Sequence, residues 1–199
     1  MNLELFYKNK LVWLVEHMVF AGIPVYLAVS YYSGQSFVHY ALLLAVIVYM
    51  AIIAGSLNTR HPDLGIVNQM SRPYAWQLLI TTFIIASAIL LGKYFGLIHD
   101  VIDKNWQLLL IYIFISVPLQ EFVFRSFCVW RCELSWNSRL FIALFTTGNF
   151  AYYHFTFGSW QLVVGVLIIN LYWSYWYFRQ RNIFAVMLSH ALIGAVYFM

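Results

Sequence analysis

From Phe37 to Ala54 the chain runs without one charged side chain, and it is flanked by further apolar stretches of similar length. Runs of about 18 to 22 apolar residues fit the roughly 20 that a helix needs to cross a bilayer's hydrocarbon core. Strands of a membrane barrel would alternate over about 10 residues, so length and period both favour helices. Composition agrees: 63% of residues are hydrophobic and 9% charged, where a soluble domain carries about 25% charge. Lipid must therefore cover most of the outside, and the expected fold class is all-α, a polytopic transmembrane helix bundle of about seven spans.

The first span is expected from about Leu11 to Tyr32, kinked at Pro24, and the second from about Phe37 to Ala54. A polar loop, Ser56 to Pro73, leads to a third span, about Tyr74 to Phe95. After the link carrying Asp100, Asp103 and Lys104 come a fourth span, about Trp106 to Val129, and a fifth, about Leu140 to Phe155. The sixth covers about Trp160 to Phe178, and the seventh begins near Ile183. The last two connections are very short, which makes those helices antiparallel neighbours. The start of the chain has the basic-then-apolar shape of a signal peptide, but Glu16 and His17 interrupt it and no small-x-small cleavage site follows, so it reads as a retained span. With no long linker, a single transmembrane domain is expected, its N-terminal spans and loops over 1–104 and a core over 105–199.

A formal charge of +4 invites a nucleic-acid reading, yet the eleven Lys and Arg residues are dispersed among short loops. Their distribution reports orientation instead. Lys8, Lys10, Arg60, Arg72, Arg131, Arg139, Arg179 and Arg181 fall on one side of the drawn topology, against Lys93 and Lys104 on the other. This predicts a cytoplasmic N-terminus. Trp13, Trp76, Trp106, Trp130, Trp136 and Trp160 fall near proposed span ends, as interfacial aromatics do. Cys128 and Cys132 are too few for a disulfide framework and read as small apolar residues at a helix end.

Charge inside a span asks for a reason, because an ionised side chain at the bilayer centre costs about 2.5 to 3.5 kcal/mol on insertion scales. Glu121 and Arg125 lie four apart in the fourth span, one helical turn, and can neutralise each other. The fifth span ends in His154, with Asn149 and Phe150 before it, and the seventh holds His190 and Gly194 one turn apart. Asn170 in the sixth reads as an interhelical hydrogen bond. Glu16 and His17 point about 100° apart near the end of the first span, which fits snorkelling to the interface. A buried acid and two histidines can hold a water, deprotonate it and donate to an oxyanion. The same set also suits a proton relay in a small proton- or ion-coupled carrier.

Three motifs at these positions, Gln120-Glu121-x-x-x-Arg125, Phe150-x-x-x-His154 and His190-x-x-x-Gly194, resemble the signature of the CAAX-protease and bacteriocin-processing (CPBP) family. These are glutamate-type intramembrane proteases related to the Ras-converting CAAX endopeptidase. The resemblance covers about Ile113 onward and implies an active-site cavity among the C-terminal helices of a multi-pass protein, expected in a bacterial cytoplasmic membrane. By that likeness Glu121, His154, His190 and Arg125 are the catalytic set, and Gln120 and Asn149 position substrate or water. The substrate is a membrane-embedded peptide or protein. No cofactor is expected, a divalent metal such as zinc being the lesser alternative, and no nucleic-acid partner. Two positions depart from the family pattern: Gln120 stands where a glutamate activates water, and Gly194 where an asparagine supports the oxyanion. An inactive member that binds a membrane partner is the alternative these departures leave open.

Overall fold

The computed structural model describes residues 3–18, 36–57, 59–60, 62–67, 70–98, 105–155 and 159–198. The described residues form helices and no strands. They are α1 (Leu3–Tyr7), α2 (10–18), α3 (Ser36–Ser56), α4 (Arg72–Tyr94), α5 (Trp106–Glu133), α6 (Arg139–His154), α7 (Trp160–Gln180) and α8 (Ile183–Phe198), whose last turn, Val196–Phe198, is 3₁₀. Among them α4, α5 and α7 are each long and apolar enough to cross a membrane, and α8 is a shorter apolar helix. The remainder of the expected first span, Pro24 included, and the Asp100–Lys104 link lie outside the described residues.

Local sequence sets the helix ends. Asn105, Ser138, Ser159 and Asn182 each accept a backbone N–H from the first turn of α5, α6, α7 and α8, satisfying a donor that the helix start leaves unpaired. Pro73 occupies the first turn of α4, where its missing N–H costs nothing. Arg181, at φ 49°, stops α7 in a left-handed conformation, and α8 starts two residues later. α6 runs along α7, and α8 packs on both α4 and α5.

α5 is not a regular helix. Two π-helical segments, Tyr112–Ser116 and Phe122–Phe127, flank an α-helical piece, Val117–Glu121. Pro118 sits in that piece and removes one backbone donor, and the wide turn ahead of it gives its ring room. The widening changes which residues face inward. On a regular helix, at about 100° per residue, Tyr112 and Glu121 would point in nearly opposite directions. Here both reach the same histidine.

At the other end of α5 lies a second buried polar group. Arg131 Nη2 is 2.5 Å from Glu16 Oε2, Tyr49 donates its hydroxyl hydrogen to Glu16 Oε1, and Arg131 Nη1 donates to the Tyr7 carbonyl at 2.8 Å. Trp13 Nε1 donates to Cys132 Sγ at 3.3 Å, and His17 Nδ1–H to the Trp13 carbonyl at 2.8 Å. Glu16 and His17 are thus not interfacial snorkels. His17 is buried and Glu16 nearly so, the latter because Arg131, counted from sequence as a loop charge, turns inward to meet it. Trp13 and Trp130 are likewise core residues, while Trp76, Trp106 and Trp160 are exposed as an interfacial belt requires.

Candidate functional site

Glu121 is fully buried on α5 and has two partners, both on one oxygen. His190 Nδ1, from α8, donates to Oε1 at 2.6 Å, and Arg125 Nη1 approaches the same atom at 3.3 Å. Oε2 has no hydrogen-bond partner in the protein. The distance of 2.6 Å meets the requirement that an acid–base pair lie within hydrogen-bond reach. The i, i+4 pairing of Glu121 with Arg125 is as the sequence spacing suggested.

Aromatic rings fix these groups. The Trp173 indole lies 4.1 Å from the His190 ring at 30°, close to stacked, and the Arg125 guanidinium lies 5.4 Å from the same indole. Phe150 touches three members at once: Arg125 at 5.3 Å, His190 at 5.8 Å and His154 at 4.6 Å. Trp173 is itself held, because its Nε1 donates to Ser189 Oγ at 3.0 Å and Ser189 shares a 2.7 Å hydrogen bond with Thr82 of α4. Arg125 Nη2 reaches the Asn170 carbonyl at 3.4 Å, and Thr147 donates to Asn170 Oδ1 at 3.2 Å. Asn170 therefore makes the interhelical bond expected of it, joining α6 to α7.

His154 closes the set through Phe150. Its Nδ1–H donates to the Phe150 carbonyl at 2.8 Å, which fixes the tautomer and puts the neutral ring's lone pair on Nε2. Gln120 Nε2 donates to Ser116 Oγ at 2.9 Å, and its buried Oε1 has no partner. Asn149 donates to the Phe145 carbonyl of its own helix at 2.9 Å.

Gly194 proves to be a steric requirement. A Cβ built there overlaps the hydroxyl and ring of Tyr112, so the phenol occupies the volume a side chain would need. The Tyr112 ring meets the His190 ring edge-on at 5.9 Å. Sequence reading missed Tyr112, Trp173, Ser189 and Thr82. Nothing in their local pattern separates them from the chain's other aromatics and hydroxyls; only the fold does. Among the described residues no group of three or more His, Cys, Asp or Glu side chains is arranged to hold a metal ion.

Helices long enough to cross a membrane, enclosing a carboxylate, an imidazole and a guanidinium, define an integral membrane protein with a polar interior site. The family model described as Type II CAAX prenyl endopeptidase Rce1-like matches residues 102–196, the segment that contains all three motifs. The match bears out the resemblance to the CAAX-protease family, which is a family of proteases. No curated protein and no solved structure matches the chain.

Proposed function

We propose that the chain is an intramembrane endopeptidase in which Glu121 activates water for attack on a peptide bond of a membrane-embedded peptide or protein. One observation supports this most: a wholly buried carboxylate is anchored through Oε1 by two donors and keeps Oε2 for a third party. A carboxylate that served only as a strut would gain from having both oxygens bonded.

In this scheme Oε2 accepts a hydrogen bond from one water and takes its proton, with His154 as the water's second contact. The resulting hydroxide adds to the substrate carbonyl carbon. His190, as an imidazolium with Nδ1–H on Glu121 and Nε2–H free, and the Tyr112 hydroxyl donate to the oxyanion that forms, the phenol supplying a donor where Gly194 has no side chain. The proton then passes from Glu121 to the amine nitrogen as the C–N bond breaks. Arg125 holds Glu121 in place at the expense of some basicity, and Gln120 offers its Oε1 to a substrate N–H. Asn149 lies outside the scheme. The proposal further places residues 105–199 as the catalytic core of a seven-span protein with a cytoplasmic N-terminus, working without metal and without a nucleic-acid partner.

The test is cleavage of a prenylated CAAX peptide and of a membrane-peptide library by the purified protein in nanodiscs. Glu121→Gln should lower the rate by about 10² to 10⁴, the usual worth of a positioned acid–base group. Chelator should leave the wild type unchanged. Equal cleavage by wild type and Glu121→Gln, or Glu121-dependent proton flux without cleavage, overturns the proposal.

A further inference from the structure

Besides Glu121 Oε2, four polar atoms on fully buried residues near the site have no partner in the protein: Arg125 Nε, Asn170 Nδ2, Ser174 Oγ and Tyr177 Oη. Their residues are 0 to 1% exposed. Buried polar groups are nearly always satisfied, by protein or by ordered water, and an orphan costs about 1 to 3 kcal/mol. Five together are not scattered accidents. Asn170, Ser174 and Tyr177 follow each other at i, i+4 and i+7, so they share one face of α7 over about 10 Å. At one end the Asn170 carbonyl meets Arg125, which meets Glu121.

The other end approaches the surface. The guanidinium of Arg181 lies 5.3 Å from the Tyr177 ring and pairs with Glu133 at 2.9 Å, both side chains being about 30% exposed (29% and 31%). Gly65, at φ 69°, brings its backbone so close that a Cβ there would strike the Tyr177 hydroxyl. Along α7, Tyr177 thus lies between the buried Glu121–Arg125 pair, met at Asn170, and the Glu133–Arg181 pair, met at its own ring.

From this we infer that α7 carries a hydrated path, Tyr177–Ser174–Asn170, which connects the half-exposed Arg181–Glu133 pair beside the Pro62–Gly65 turn to the buried Glu121 carboxylate. Each member has the free donor or acceptor that a buried water needs, and a water commonly makes about three such bonds. The path brings water from the end of the bundle, behind the carboxylate. Its role as the supply of the attacking water rests on the hydrolytic reading; its hydration does not.

Hydroxyl-radical footprinting by water radiolysis in nanodiscs, with H₂¹⁸O as the probe, tests the hydration directly. Tyr177 should be labelled several-fold faster than Phe127, which is equally buried in an apolar cluster, after correction for intrinsic reactivity. Ser174→Val and, separately, Asn170→Leu should bring Tyr177 down toward the Phe127 level while Phe127 itself stays protected, which shows that the variant is folded. Tyr177 labelling no faster than Phe127 in the wild type overturns the inference, as does labelling that both variants leave unchanged. A labelled Tyr177 with cleavage indifferent to Glu121→Gln would keep the path and remove the protease. A dry Tyr177 with Glu121-dependent cleavage would do the reverse.

Discussion

The molecule holds two buried acid–arginine groups on one helix, and they are finished differently. At Glu16 both oxygens have a close partner, Tyr49 on one and Arg131 on the other, and Arg131 is further tied to the Tyr7 carbonyl. At Glu121 two donors share one oxygen and the second oxygen is left. The first is a strut that fastens α1, α2 and α3 to the end of α5. The second has the open valence of a working group. Burial and charge alone do not separate the two; whether the second carboxylate oxygen has a charged group beside it does.

Exchanging the charged carboxylate for an amide in each group gives the largest contrast. Glu121→Gln should abolish nearly all cleavage, by about 10² to 10⁴, whereas Glu16→Gln should leave turnover per folded molecule within a factor of a few. Equal losses of turnover in the two would erase the distinction. The order reverses when stability is read. Arg131→Met leaves Glu16 buried and uncompensated and should cost about 3 to 5 kcal/mol, seen as a large fall in thermal midpoint in nanodiscs. If the melting point does not move, the strut reading fails.

A smaller effect is expected at the edge of the second group. Gly194→Ala should cost about 1 to 3 kcal/mol, the usual result of forcing a methyl into a filled site, because the Tyr112 phenol must move aside. Tyr112→Leu in the same chain should recover most of that stability without recovering activity. Additive losses in the double variant would show that the two residues do not share the volume. The smallest change belongs to Asn149→Ala, whose amide donates to a carbonyl of its own helix; stability should shift by less than about 0.5 kcal/mol, and cleavage should not change.

Much of this was legible from residues alone. Spans written from hydropathy, such as Trp106 onward, Leu140 to Phe155 and Trp160 to Phe178, coincide with α5, α6 and α7 to within a few residues, since caps at Asn105, Ser138 and Ser159 punctuate apolar runs. The acid, the arginine and both histidines could be named because charge in an apolar run needs a cause. Their pairing was less readable. Sequence spacing joins Glu121 to Arg125 on one helix, but which histidine meets the carboxylate depends on how α8 lies against α5, and it is His190 that does. Arg131 looked like a loop residue because nothing local marks its side chain as turned inward toward α2. Tyr112 was invisible for a related reason: a regular helix places it away from Glu121, and π-helical turns leave no periodic signature.

Those turns have a consequence for how the protein can change. Each wide turn accommodates one residue more than the hydrogen-bonding pattern of an ordinary turn. Deleting a single residue between Tyr112 and Ser116 would therefore restore regular winding there rather than break the rod. Tyr112 would keep its bearing on Glu121, since the roughly eight residue steps then between them turn through about 800° on a regular helix and leave the two within about 80° of each other. α5 is thus two rods joined by a coupling that can absorb or release a residue, with the acid on one and the phenol on the other. A residue can be lost there without turning donor away from base, a route closed to a helix of uniform pitch.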